Sequence, residues 1–336
     1  MIGSLRTRSQ KTRMKWVKGH SGNELNEKAD RLAGQGASKR TIDDLKTEIP
    51  ATLKLSGAKL TTLTQKLAYR GIRKQTMQTY KQRNRTVLNI VKIIDFAETH
   101  HDRSISEAQI WTGIRNKDLR REIRYFLWMT IHDAYMVGSN WLRPSYSEEL
   151  QARHECQICG VEESMQHILT ECDAPGQKEI WELTEKLWKM KNKKWTKPLI
   201  GGILGCANAM FKTEKGKILK RDARLYRILV SEAAYLIWKL RNARVIQSNG
   251  EHHSSKNEIT NKWLNAINER LTIDCKMTNN KKYGKKALKP ALVESTWKGV
   301  LKNEKYLPYD WTTGKVGVLV GIEPERSRTG ERHIGD

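Results

Sequence analysis

Apolar residues recur three and four apart along most of this chain, the spacing of one face of an α-helix. Leu60, Leu63 and Leu67 share such a stripe, and Val87, Ile90, Val91, Ile94 and Ala97 share a second. The strongest periodic run is DLRREIRYFLWMTIHDAYMV. There Leu119, Ile123, Phe126, Leu127, Ile131 and Ala134 fall on one face and most arginines on the other. Ser104 to Trp111 opens a further helix with a serine cap. An amphipathic helix is predicted around Ile180, Trp181, Leu183, Leu187 and Trp188, followed by a Gly-rich turn at 201–205. A long helix is predicted over 217–247 and a shorter one over 257–271. Near the start, Met14 to Val17 reads as a short strand. Asn23 caps a helix reaching Gln35, with Leu25, Ala29, Leu32 and Ala33 as its stripe. Pro50 and Gly57 punctuate a linker after it.

Charge narrows the partners. Lys and Arg number 62 against 37 Asp and Glu, a formal +25 over 336 residues. Such an excess favours a polyanion, either nucleic acid or an anionic membrane face. No run of roughly 18 apolar residues exists to span a membrane, and the basic N-terminus lacks the apolar stretch of a secretion signal. The compartment expected is intracellular, nuclear or cytoplasmic, with no membrane partner. Two tracts interleave cations with aromatics. KLWKMKNKKWTK (186–197) offers Lys189, Lys191, Lys193, Lys194 and Trp195, while CKMTNNKKYGKKALK (275–289) offers Lys281, Lys282, Lys285 and Lys286. Such mixtures suit phosphate contacts plus stacking on unpaired bases. A solvated cationic face with its Trp turned inward fits the same residues.

The five cysteines include one Cys-x-x-Cys pair, which in a chain without a secretion signal points to a metal rather than a disulfide framework. CQICGVEESMQHILTEC places Cys156, Cys159, His167 and Cys172 in the order Cys-x2-Cys-x7-His-x4-Cys. Two thiolates two residues apart can wrap one side of a tetrahedral ion, and Gly160 suits the tight turn between them. A short helix, 162–171, is expected to carry His167. Positions five apart on an α-helix differ by about 140°, which puts Cys172 just past its end. Four protein ligands leave no open position, so the zinc is expected to be structural. His154 is a weaker alternative ligand, and Cys206 and Cys275 have no partner at metal spacing.

YFLWMTIHDAYMVGSNW, then CQICGVEESMQHILTEC, then EIWELTEKLW resembles the zinc-binding segment that follows the reverse transcriptase in non-LTR retrotransposon polyproteins. The resemblance covers roughly residues 107–190. It implies an accessory nucleic-acid-binding module, with other parts of a reverse transcriptase polyprotein as partners. His132 matches that family's helix histidine and reads as a packing or hydrogen-bonding residue.

A second resemblance lies in WVKGHSGNELNEKADRLAGQGA (16–37), which is similar to the C-terminal end of type 1 ribonuclease H. In that family four carboxylates hold two divalent metals that cut RNA opposite DNA. The likeness implies that His20 is the loop histidine, Asp30 the last metal carboxylate and Asn26 a contact to the nucleic-acid backbone. Asn26 and Asp30 are four apart and share a helix face. Residues 1–23 contain no Asp or Glu, so three of the four carboxylates are missing as written. One carboxylate does not hold Mg²⁺ or Mn²⁺ against hydration, and those ions are expected only if the domain is completed.

The fold expected is mainly α. It comprises a strand–loop–helix remnant of an α/β RNase H fold over 1–38, then a linker with basic helices over 39–105. A zinc-binding helical domain over 106–192, a basic helical region over 193–323 and a flexible tail over 324–336 follow. Three functions fit: a retrotransposon-derived nucleic-acid-binding protein with an inactive nuclease remnant, an RNA–DNA hybrid ribonuclease, or a domesticated helical scaffold.

Overall fold

The computed structural model describes residues 16–19, 22–42, 63–79, 83–191, 194–247, 254–313 and 316–323. Among these residues helices dominate and no strand forms. Backbone pairing is confined to isolated bridges at Glu155–Glu162, Lys212–Ile218 and Leu301–Val320. The mainly α expectation therefore holds. The chain divides into two units, Met1–Tyr80 and Lys81–Asp336.

The first unit contributes helices α1 (Glu24–Ala37) and α2 (Gln65–Thr79). Asn23 caps α1 as expected, its side chain accepting from the Asn26 N–H at 3.2 Å. Nothing in α1 is buried: Leu25 and Leu32 are exposed, as is Trp16. Trp16 and Val17 carry no regular structure, while Met14 and Lys15, the rest of the expected strand, lie outside the described residues. So do the rest of the basic N-terminus, most of the expected linker and the tail beyond residue 323.

The second unit is built round one long helix. Its elements are α3 (Asn84–His101), α4 (Glu107–Ile114), α5 (Arg121–Ile131), α6 (Gln177–Lys189) and α7 (Ile200–Leu204). Helices α8 (Lys220–Asn242), α9 (Lys256–Lys276) and α10 (Pro290–Trp297) complete it. Helix α8 is buried on nearly every side, from Ala223 to Arg241, and packs against α5, α6, α9 and α10. A helix covered all round must also bury its charged residues, and these are paired. Arg224 donates to both oxygens of Asp274 at 2.7 and 2.9 Å and to Asp118 at 2.8 Å. Arg120 donates to Glu232 at 2.9 Å. One hydrophobic cluster runs from Ile90 to Ile322, so the boundaries expected at 105/106 and 192/193 fall inside one compact unit.

Several element ends differ from the periodic pattern. The apolar spacing runs on to Ala134, but α5 stops at Ile131 because Asp133 adopts a left-handed φ of +47°. The Asp133 N–H then reaches the Thr130 carbonyl and the Ala134 N–H the Met129 carbonyl, closing the helix in a Schellman arrangement. Arg85 holds the Asp133 carboxylate at 3.1 Å. The glycines at 201, 202 and 205 serve close packing rather than a turn. A Cβ at Gly201 would lie 2.0 Å from the Lys92 carbonyl oxygen, and one at Gly202 2.5 Å from the Phe96 ring. Without side chains there, α7 lies directly against α3.

Candidate metal centre

The knuckle carrying the first two cysteines is a backbone structure. The Glu155–Glu162 bridge closes a tight hairpin, in which the Cys156 N–H donates to the Val161 carbonyl at 2.8 Å. The Gly160 N–H returns to the Cys156 carbonyl at 2.8 Å, and Gly160 takes φ +65°, a conformation that suits glycine. The hairpin leaves Cys156 buried and Cys159 half-buried, both turned toward Cys172.

The second half of the site comes from a widened helical turn. Ser164 accepts from the His167 N–H at 3.0 Å and starts the turn. From His167 to Glu171 the backbone is π-helical, and the Cys172 N–H bonds to the His167 carbonyl five residues back at 2.8 Å. This corrects the phase argument drawn from a regular α-helix: a wider turn brings residues five apart back toward one side. The freed Leu169 carbonyl accepts from Trp181 Nε1 at 2.9 Å and Gln177 Nε2 at 3.2 Å, clasping the turn to α6.

Cys156, Cys159, His167 and Cys172 come together, their ligand atoms all within 4.8 Å of one another. Sγ of Cys172 lies 3.7 Å from that of Cys156 and 3.9 Å from that of Cys159. A tetrahedral ion ~2.3 Å from each sulfur sets the sulfurs about 3.8 Å apart, so the spacing matches a shared zinc-type ion. His167 Nε2 is buried with no hydrogen-bond partner in the protein, a costly state for a ring nitrogen unless a metal uses the side chain. The Asp173 N–H points at Cys159 Sγ and the Ala174 N–H at Cys172 Sγ, each at 3.4 Å, which favours thiolates. These four residues could hold a metal ion, and the donor set is of the kind that takes zinc.

The titration of the sulfurs points the same way. Burial pushes the Cys156 thiol up, but the His167 ring, the N–H groups of Cys159 and Ile158, and Cys172 outweigh it and bring it down to about 7. Cys172 moves oppositely: burial, then repulsion from its neighbouring sulfurs, pushes it up to about 12. Cys156 and Cys172 oppose each other's ionisation until a cation takes the place of their protons.

Sequence reasoning missed the groups that seat this site on the fold. Glu163, next to Ser164, is buried and receives two hydrogen bonds from Arg241 near the end of α8, one of them at 2.9 Å. Nothing local signals a pair 78 residues apart. His154 stands outside the cluster, with Nδ1 on the Gln151 carbonyl and Nε2 beside Glu155. Cys206 and Cys275, read only as lacking a partner at metal spacing, are buried elsewhere.

The other candidates divide. Lys191 is not a surface cation: its side chain is 8% exposed, and its Nζ donates to the Thr296 carbonyl at 2.8 Å and faces Asp222 at 3.6 Å. Trp195 packs against the core beside Tyr226, and Trp188 is fully buried. Their indoles complete the fold around α8, which removes Lys191 and Trp195 from the nucleic-acid-binding set. Lys189 is exposed but pairs with Glu185 at 2.6 Å, Lys194 is exposed, and Lys193 lies outside the described residues. Lys281, Lys282, Lys285 and Lys286 are all exposed on a compact loop closed by the Leu288 N–H to the Met277 carbonyl at 2.9 Å. Asn26 and Asp30 both lie on α1, whereas His20 lies outside the described residues. Among the described residues the cysteine–histidine cluster is the one metal-ligating group, and Asp30 does not belong to it. No family model, curated protein or solved structure matches the chain.

Proposed function

We propose that this chain is an intracellular nucleic-acid-binding protein whose zinc centre is structural, derived from the accessory region of a non-LTR retrotransposon polyprotein. The carrying observation is the Lys281–Lys286 loop. It displays four exposed lysines, none with an ion-pair partner among the described residues, on a chain of net charge +25. Clustered exposed cations attract phosphates and release their counterions. The metal centre supports the retrotransposon lineage through the order and spacing of its ligands, and its closed donor set supports a scaffolding rather than a catalytic zinc. Cys156, Cys159, His167 and Cys172 would hold the zinc, which would supply rigidity by joining the knuckle to the turn that follows.

An electrophoretic mobility assay over a salt series tests the reading. Affinity should fall steeply with salt, and replacing the four lysines by alanine should flatten that dependence. No complex at low salt defeats it. A hybrid-ribonuclease reading has one favouring observation, the shared α1 register of Asn26 and Asp30. Incubation with an RNA–DNA hybrid and Mg²⁺ or Mn²⁺ addresses it, since cleavage lost in Asp30→Asn would restore the enzyme.

A further inference from the structure

Helix α5 buries Ile123, Phe126, Leu127, Thr130 and Ile131 on one side. At about 100° per residue the opposite face centres on Arg121, Tyr125 and Trp128, with the exposed Glu122 on one flank and the half-buried Arg124 on the other. An ordinary outward stripe carries charged pairs that solvate the helix. Here two large aromatics occupy its centre, Tyr125 59% and Trp128 44% exposed.

The rings are ordered. Tyr125 and Trp128 lie 23° from parallel with centroids 6.4 Å apart. Trp128 meets the edge of His132 at 4.5 Å, and His132 stacks on Trp111 at 5.2 Å and 18°. Hydrogen bonds set the inner two rings: His132 Nδ1 with Thr86 Oγ1 at 3.1 Å, and Trp111 Nε1 to Glu107 at 2.9 Å. The row is thus preorganised, so little ordering remains for a ligand to impose.

The surrounding charge selects the ligand. Arg121 and Arg124 stand one turn before Tyr125 and Trp128, and no ion pair engages either among the described residues. Arg115 donates to the Trp111 carbonyl at 3.1 Å, placing another cation at the far end of the row. Of the nearby acids, Glu107 is engaged by Trp111 and Asp133 by Arg85, while Glu122 is exposed beside Arg121. Flat exposed rings with Arg121, Arg124 and Arg115 around them against the single exposed Glu122 on this helix complement a polyanion that presents flat faces of its own.

We propose that this row is a stacking platform for the unpaired bases of single-stranded nucleic acid, with the flanking arginines on its phosphates. The proposal deepens, and rests on, the nucleic-acid-binding reading. Every base has a π-face, so such a platform recognises single strands with little regard to sequence and gains nothing from a duplex whose bases are already stacked.

The experiment measures binding of labelled oligouridine and of a mixed-sequence duplex to the full, zinc-loaded chain by fluorescence anisotropy. Tyr125→Ala and Trp128→Ala should each weaken single-strand binding roughly 5- to 150-fold while leaving duplex binding and the salt dependence unchanged. Trp128→Phe, which keeps a π-face, should recover most of the loss. Both side chains are exposed, and matching thermal unfolding confirms that the variants fold. Wild-type binding that neither alanine variant weakens overturns the platform while the nucleic-acid reading survives. No binding by the wild type at low salt overturns both. Crosslinking of 5-iodouracil oligonucleotide to Tyr125 or Trp128, mapped by mass spectrometry, would place the strand on the row directly.

Discussion

At the scale of single residues, the metal centre depends on positions that make no contact with the ion. Gly160 is the clearest case. An added Cβ there meets nothing within 4 Å, so a substitution feels only the left-handed backbone. Gly160→Ala should therefore cost about 1–2 kcal/mol without any clash, expressed as weaker metal retention because the turn between Cys156 and Cys159 must open. Competition with a chromogenic chelator reads this out, and unchanged affinity would show that the ion alone dictates the turn. The four ligands and this glycine were legible from spacing, because a tight turn between two thiolates is a local property. His132 was legible only as a packing residue. Its place in a row of rings required knowing that Trp111 folds back onto it.

At the scale of elements, regular periodicity predicted the helices, while their ends were set by interactions it does not contain. Asn23 and Ser106 cap as local chemistry demands, Ser106 in a full capping box with Gln109. The π-helical turn at His167–Glu171 was not legible, since only the need to bring His167 and Cys172 to one side favours the wider turn. Nor was Lys191, whose sequence neighbours are cations but whose spatial neighbours are the carbonyls ending α10. The Glu163–Arg241 pair joins the metal module to α8 with both side chains buried, which yields a sharp expectation. Arg241→Met leaves an uncompensated buried carboxylate and should cost about 3–5 kcal/mol, whereas Arg241→Met with Glu163→Met removes both charges and should recover much of that. Urea denaturation measures both. A single variant no less stable than the double one would mean that water reaches Glu163 and the pair does not fasten the module.

At the scale of the whole molecule, the second unit is one core threaded by buried ion pairs, with the metal knuckle as a satellite. The pairs predict the acid limb of stability. Burial opposes ionisation of Asp274, but Arg224, Arg270 and the Trp297 N–H outweigh it and hold its carboxyl below the ordinary carboxylate range. A carboxylate depressed in the folded state stabilises above its unfolded pKa of about 4 and loses that contribution as pH falls through the folded value. Stability should thus decline below pH ~4, and Asp274→Asn should lower the plateau yet flatten this decline. Equal acid slopes in wild type and variant would assign the decline to other groups.

The satellite character of the knuckle predicts what metal removal does. Cys156, Cys159, Cys172 and Ala174 form a small cluster of their own, whereas Met165, Ile168 and Leu169 belong to the main core on either side of His167. The turn bearing His167 is further held through the Leu169 carbonyl by Trp181 and Gln177. A chelator should therefore not unfold the chain, unlike small domains that have no core besides the metal. Hydrogen exchange should accelerate over Glu155–Glu162 and the segment 172–176, where the bonds to Cys156 and the N–H···S contacts lose their anchor. Amides of the turn around Ile168 and of the middle of α8 should stay protected. Exchange accelerating across α8 as well would show that the ion supports the main core, and that the knuckle is integral to the fold rather than fastened to its edge.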